Sequence, residues 1–168
     1  MRLALAQVDP GGCDIEFVAP SDLFSDARDR VVACEPVRMS GRAQMESIGL
    51  HVWGRIATRL TLTCSRCLAE FPFPFEGRFD VAYAEIVGDE DEVELHGREL
   101  TVCHLEGDSV DLGELAHEQV LLGIPMAPLC SEGCKGLCPR CGANRNAGDC
   151  ECGDDNIDPR MAALKNLL

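Results

Sequence analysis

Closely spaced cysteines occur in two parts of this sequence. Six of the chain's 11 cysteines lie in CSEGCKGLCPRCGANRNAGDCEC, residues 130–152, and two more lie in TLTCSRCLAEF, residues 61–71. Thiolates are soft ligands, and four of them form a closed tetrahedral site that suits zinc. The chemistry that these spacings indicate is therefore metal binding.

The clearest ligand pattern begins at Cys138-Pro-Arg-Cys141-Gly, which is a zinc-knuckle sequence. Two cysteines separated by two residues can bind one ion from a tight turn, and the following glycine permits a positive φ. With the next two cysteines the spacing is C-x₂-C-x₈-C-x-C. We call this predicted zinc site the C-terminal tetrad: Cys138, Cys141, Cys150 and Cys152.

Two further pairs each offer half of a second zinc site. Cys64 and Cys67 are spaced C-x₂-C, and Cys130 and Cys134 are spaced C-x₃-C. The preferred grouping joins these four into one site, which we call the strand-end tetrad. An exchange of halves, with Cys64 and Cys67 meeting Cys138 and Cys141, is an alternative. A redox role for Cys64 and Cys67 fits less well, because no thioredoxin-like βαβ pattern surrounds them. Cys13, Cys34 and Cys103 have no partner at ligand spacing.

Composition bounds the class of protein. The chain has 168 residues, of which 46% are hydrophobic, and this is enough for a core that does not depend on metal alone. Apolar runs are too short for a signal peptide or a membrane span, so we expect a cytoplasmic protein. In a reducing compartment, clustered cysteines are more often ligands than disulfides. The net charge of −14 favours basic partners over nucleic acid, unless the basic residues share one face.

Period-two alternation predicts a β-hairpin over residues 37–63. Val37, Met39, Val52 and Ile56 belong to its apolar side. A third strand follows from Phe71, where Pro72 and Pro74 should lie at an edge or a bulge because they lack backbone donors. The opposite side of the hairpin carries these residues: Arg38, Arg42, Trp53, Arg55 and Arg59.

One main helix is expected near residues 111–122, with Asp111 as its N-cap and Gly123 at C′. We expect an α+β fold: a small antiparallel sheet or partly open barrel with this helix and a cysteine-rich zinc segment. Residues 1–125 would form the β-rich domain, 126–155 the zinc segment packed on it, and 156–168 a C-terminal helix or tail. A strand over 1–8, an irregular stretch or short helix over 20–33, an acidic loop at 88–94 and a short strand at 99–103 complete the prediction.

The polar hairpin side is a candidate for RNA binding. Residues 35–66 are net positive inside an acidic chain. Arginines beside an aromatic ring suit contact with phosphates and stacking on bases. The alternative is an ordinary solvated sheet face, with the acidic remainder of the surface binding a basic protein.

Three segments together resemble the YceD family: LTCSRCLAEF, then DLGELAHEQVLLGIPMAPLC, then CKGLCPRCGANRN with a following C-x-C and DPR. This bacterial and plastid family is associated with accumulation of large-subunit ribosomal RNA. The resemblance covers about residues 37–168 and implies a role in ribosome biogenesis. Other members lack the CPxCG part, which implies that Cys64 and Cys67 pair with Cys130 and Cys134.

The expected function is that of a non-enzymatic protein with two Zn²⁺ ions in large-subunit ribosome biogenesis, with no catalytic residues. Its expected partner is a large-subunit ribosomal RNA precursor or a basic ribosomal protein, and neither a membrane nor a small-molecule substrate is expected. One alternative is a rubredoxin-like iron or redox-sensing thiol protein. A metal-dependent RNA-processing enzyme fits less well, because catalytic zinc needs an open position.

Overall fold

A long curved sheet holds most of the regular structure. The computed structural model describes residues 2–47, 49–84, 102–105 and 107–152. Over these ranges the strands are β1 (Arg2–Ala4), β2 (Cys13–Ala19), β3 (Val31–Cys34), β4 (Val37–Met45), β5 (Leu50–Thr63), β6 (Glu70–Ala84), β7 (Val102–His104) and β8 (Ser109–Asp111), and the helix is α1 (Leu112–Gly123). This is the α+β class expected from the sequence. The acidic loop at 88–94 and the C-terminal helix or tail at 156–168 lie outside the described residues.

The predicted hairpin is β4 and β5, paired antiparallel from Arg38 opposite Ala57 to Met45 opposite Leu50. The main sheet has the order β2-β4-β5-β6-β7. β3 also pairs with β5, next to the N-terminal end of β4. β1 and β8 form a separate two-stranded ribbon. The sheet is mixed rather than wholly antiparallel, because β7 pairs parallel with β6. The connection through residues 85–101 is long enough for a parallel return.

Alternation along β5 places one set of side chains in the core. Leu50, Val52, Ile56, Leu60 and Leu62 are all buried. α1 lies against this side and contacts both β6 and β2, which are separated by two strands in the sheet. The sheet therefore curls around the helix. Within the described ranges, no helix combines the length and apolar character that a membrane crossing needs.

α1 begins where the sequence predicts, at an Asp111 N-cap whose carboxylate accepts from the Gly113 N–H at 2.8 Å. Its end differs from the prediction. Gly123 is the last helical residue rather than a left-handed C′ residue, and Ile124 is the C-cap. A Cβ on Gly123 would clash with the Phe75 ring, so this glycine is required by close helix–sheet packing.

Three other predictions need correction or refinement. The strand expected over 1–8 is only β1, followed by a 3₁₀ turn at Leu5–Gln7. The stretch 20–33 consists of turns that lead into β3, which the sequence did not predict as a strand. The strand expected at 99–103 is β7 at Val102–His104, while 99–101 lie outside the described residues. Pro72 and Pro74 do lie at an edge, since among described residues β6 has a neighbour only on its β5 side before Ala82.

Candidate metal centres and arginine face

The strand-end tetrad forms where β5 leaves the sheet. Cys64 follows the last residue of β5, Cys67 precedes β6, and Cys130 and Cys134 come from the segment after α1. Their four Sγ atoms lie within 4.8 Å of one another. The Cys64–Cys134 and Cys67–Cys130 sulfur separations are both 3.7 Å. The structure thus brings together the four cysteines of the preferred grouping, and not those of the exchanged one.

These separations fit a tetrahedral metal. Four sulfurs held ~2.3 Å from a tetrahedral zinc lie ~3.8 Å apart. Three of the four cysteines, Cys64, Cys67 and Cys134, are buried, whereas Cys130 is exposed. Four converging sulfurs leave no open position for a substrate or a water. The donor set can therefore hold a metal ion of zinc type in a closed, structural site.

The thiol ionisation in this tetrad also suits a cation. The backbone N–H of Cys130, joined by those of Cys67 and Arg66, lowers the pKa of Cys64 to about 6. A hydrogen bond with the neighbouring Cys67 sulfur, together with burial, raises the pKa of Cys130 to about 12. All four thiolates can coexist only when a positive ion lies among them.

The C-terminal tetrad is formed within one short segment. The Sγ atoms of Cys138, Cys141, Cys150 and Cys152 also lie within 4.8 Å of one another. Only Cys138 is buried, while Cys141 is exposed and the other two are half-buried. The backbone N–H of Cys141, with that of Arg140, lowers the pKa of Cys138 to about 6. The site has the same donor set as the strand-end tetrad and less protein around it.

The two C-x-R-C turns share one backbone design. The N–H of Leu68 donates to the Cys64 carbonyl at 3.0 Å, and the N–H of Gly142 donates to the Cys138 carbonyl at 2.9 Å. Each turn then closes with a bond from the first cysteine's N–H to an alanine carbonyl, Ala69 at 2.9 Å or Ala143 at 2.8 Å. Leu68 and Gly142 both have positive φ, 58° and 73°. The two pairs therefore have the same pattern of backbone hydrogen bonds around their first cysteine.

One asparagine from the loop of the C-terminal tetrad contacts the strand-end tetrad. Asn146 lies between Cys141 and Cys150 in the sequence, and its Nδ2 donates to the Cys134 sulfur at 3.4 Å. This hydrogen bond lowers the pKa of Cys134, which belongs to the other tetrad. Asn146 Oδ1 accepts from the Lys135 N–H at 2.8 Å, so the side chain is fixed at both ends. Sequence reasoning missed this residue, because an asparagine in a polar loop carries no spacing signal.

The remaining cysteines belong to neither tetrad. Cys34 is half-buried, its Sγ donates to the Glu35 carbonyl at 2.8 Å, and burial raises the pKa of its thiol. Partial desolvation, followed by the charge of Glu118, raises the pKa of Cys103, although this β7 residue is largely exposed. Cys13 is half-buried on β2. Raised pKa values keep Cys34 and Cys103 in the less reactive thiol form.

The predicted arginine face is a real surface of the sheet, and one more arginine joins it. Arg38, Arg42, Trp53, Arg55 and Arg59 project from the side of β4 and β5 that faces away from the core. Arg78 on β6 lies directly opposite Arg55. The same alternation that placed Phe71 and Phe73 inward would have placed Arg78 outward, so the signal was present in the sequence.

The arginines on this face differ in their ion pairs. Arg42 pairs with Asp14 at 3.5 Å, and Arg59 pairs with Glu35 at 3.8 Å. Within the described part of the chain, the three others have no ion-pair partner, and all are exposed. We call them the arginine stripe: Arg38, Arg55 and Arg78. Acidic residues border this stripe. Glu16 on β2 lies opposite Ser40, and Glu76 on β6 lies opposite Ala57.

Comparison of the sequence with known proteins places the chain in a family. The family model for the large ribosomal RNA subunit accumulation protein YceD matches residues 52–168. The uncharacterized protein YlbN of Bacillus subtilis (strain 168) is 34% identical over 159 residues, which cover 92% of this chain and 84% of YlbN. An uncharacterized protein of Mycobacterium tuberculosis (strain ATCC 25618 / H37Rv) is 32% identical over 76% of this chain and 59% of its own length.

A plant relative carries a functional name. The chloroplastic large ribosomal RNA subunit accumulation protein YCED homolog 1 of Arabidopsis thaliana is 36% identical over 62 residues, 37% of this chain and 19% of its own. No solved structure matches the chain. The matched residues 52–168 contain both tetrads and Trp53, Arg55 and Arg78. The chain therefore belongs to the YceD family of large ribosomal RNA subunit accumulation proteins.

Proposed function

We propose that this chain is a non-enzymatic cytoplasmic protein that holds two structural zinc ions and supports accumulation of the large ribosomal RNA by binding that RNA. Membership of the family supports a role in ribosome biogenesis. Zinc is favoured because two all-cysteine sites match its tetrahedral preference, and zinc has no redox chemistry. Both sites would be saturated by protein sulfur, which supports a structural rather than catalytic role for the metal.

The arginine stripe is the observation that supports RNA as the partner. The chain has 29 acidic residues and 15 basic ones, so ion-pair partners are abundant. Nevertheless Arg38, Arg55 and Arg78 have none among the described residues. Arg55 and Arg78 are direct cross-strand neighbours, and like charges in that position destabilise a sheet. A phosphate backbone would offset this repulsion, because each phosphate can accept two hydrogen bonds from a guanidinium group.

A charge reversal tests this proposal in cells that lack the gene. The double variant Arg55→Glu/Arg78→Glu should fail to restore large-subunit ribosomal RNA, while its zinc content and unfolding midpoint stay near wild type. The matched control is Arg28→Glu/Arg30→Glu, which changes net charge equally in the exposed turns that precede β3. The control should restore ribosomal RNA fully.

Full rescue by the stripe variant would contradict RNA binding at this face. A basic ribosomal protein captured by the acidic surface would then be the better explanation, and affinity purification of the wild-type chain would recover it. In vitro, binding of the wild type to ribosomal RNA should weaken steeply as salt rises, since counterions are released from the phosphates.

A further inference from the structure

A histidine with two acidic partners lies at one end of the arginine face. His51 is on β5, and its Nδ1 is 3.1 Å from Glu46 Oε1 while its Nε2 is 2.7 Å from Asp80 Oδ1. Neutral imidazole donates from one nitrogen only, so the charged form is the one that satisfies both carboxylates. Partial burial works against the charge, but the bonds to Asp80 and Glu46 outweigh it and raise the pKa of His51.

This histidine stacks on the tryptophan of the same face. The ring centroids of His51 and Trp53 are 4.6 Å apart, with an interplanar angle of 29°. Glu46 is at the β4–β5 turn and Asp80 is on β6, so His51 is held from two directions. The indole is consequently packed against a ring that is itself fixed. A surface aromatic that is oriented before binding loses less side-chain entropy on association.

Along β5, Trp53 lies between His51 and the first residue of the arginine stripe on this strand, Arg55. Side chains two residues apart share a face of a strand, so Arg55 follows Trp53 just as His51 precedes it. The two cross-strand neighbours of Trp53, Arg42 and Asp80, both have other bonding partners. Arg42 donates to the Gly11 carbonyl and pairs with Asp14, and Asp80 bonds to His51. Among the described residues, a flat ligand on the indole would therefore have Arg55, and Arg78 beyond it, as its nearest cations without an ion-pair partner.

We propose that Trp53 is a stacking platform for an unpaired RNA base, with His51 as the positioning residue that orients it and Arg55 and Arg78 as contacts for the adjacent phosphate. The inference rests on the proposed RNA binding and deepens it, because it names the class of RNA. Bases inside a duplex are already stacked on their neighbours and present no free face to an indole. Unpaired bases do, and stacking on an aromatic strengthens binding roughly 5- to 150-fold per base.

Trp53 is the single tryptophan of the chain, so its fluorescence reports on this site alone. The zinc-loaded protein is titrated with a short oligouridylate, and separately with the duplex that this strand forms with oligoadenylate. We expect the single strand to quench Trp53 emission and the duplex to leave it unchanged. Quenching by both RNAs alike, or by neither when both bind, would overturn the stacking inference.

Variants separate this inference from the proposed function. With a labelled oligouridylate, Trp53→Leu should bind about tenfold more weakly, consistent with loss of one stacked base. Trp53→Phe should recover most of the affinity, and Arg55→Glu/Arg78→Glu should lose it. If Trp53→Leu binds like wild type while the arginine variant does not, stacking is wrong and RNA binding by the stripe survives. If wild type binds no RNA, the proposed function is wrong as well.

The role of His51 has its own readout. The groups around its ring are Glu46, Asp80, and the cross-strand neighbours Gln44 and Ala82, with Arg42 two residues from Gln44 on the same face. As pH rises through the elevated pKa of His51, the imidazolium is lost and Trp53 emission should change in one step. His51→Gln should remove the step and weaken oligouridylate binding. A step that persists in His51→Gln would show that protonated His51 does not position Trp53.

Discussion

The two cysteine tetrads share a turn and differ in what surrounds it. Both begin with a C-x-R-C turn closed by the same pair of backbone hydrogen bonds. The strand-end tetrad has three buried cysteines and joins the end of β5 to the segment after α1. The C-terminal tetrad has one buried cysteine and lies within residues 138–152. Local sequence therefore builds the ligand geometry, while contact with the core decides how much of the fold depends on it.

The largest effect should come from the strand-end tetrad. Cys64→Ser removes a fully buried ligand and leaves the ends of β5 and of the α1 connection without their link. We expect a loss of more than about 3 kcal/mol in the free energy of unfolding, as is usual when a structural metal is lost. Denaturant unfolding followed by Trp53 emission measures this. Cys103→Ser is the control, since Cys103 is exposed and outside both tetrads, and it should unfold like wild type.

The C-terminal tetrad should give an intermediate and local effect. Cys150→Ser is expected to cost less than about 1 kcal/mol in the main unfolding transition, because the core of β4, β5 and α1 does not include this segment. Hydrogen exchange should show faster exchange at the amides of Cys138 and Gly142, whose bonds close the second turn. Equal unfolding losses for Cys64→Ser and Cys150→Ser would contradict the difference between the tetrads.

The smallest effect concerns the left-handed residue of each turn. A side chain at positive φ costs ~1–2 kcal/mol relative to glycine. Gly142→Ala adds a Cβ that contacts nothing within 4 Å, so backbone strain alone should lower zinc affinity of the C-terminal tetrad roughly fivefold. Leu68→Gly should change the strand-end tetrad less and in the opposite sense, since released strain is partly offset by glycine's greater freedom when unfolded. Competition with a chelator measures both, and an unchanged affinity for Gly142→Ala would argue against the shared turn geometry.

Elements with strong local signals were predictable from the sequence. The β4–β5 hairpin follows from strict alternation, and α1 follows from an acidic N-cap before an apolar run. β3 was missed because it has four residues with only Val31 buried, which leaves no alternation to read. The parallel pairing of β7 was missed because pairing direction depends on the path of a distant connection.

The candidate site was predictable in part for a similar reason. Spacing alone identifies the C-terminal tetrad as one possible site, because its four cysteines are consecutive cysteines within one short segment. Spacing cannot decide which pair lies beside Cys64 and Cys67, because that depends on where the segment after α1 places Cys130 and Cys134. Gly123 was misassigned because a glycine near a helix end has two explanations, a left-handed cap or a close contact, and only the position of Phe75 separates them.

The metal content of the natively purified chain is the most direct test of whether both tetrads are structural zinc sites. Elemental analysis should give close to two zinc ions per chain in wild type and close to one in Cys150→Ser, in a colourless protein with free thiols after metal removal. One zinc in wild type would mean that one of the two tetrads does not hold zinc. Zero zinc with disulfides, or a coloured protein that contains iron, would contradict the claim that both tetrads are structural zinc sites.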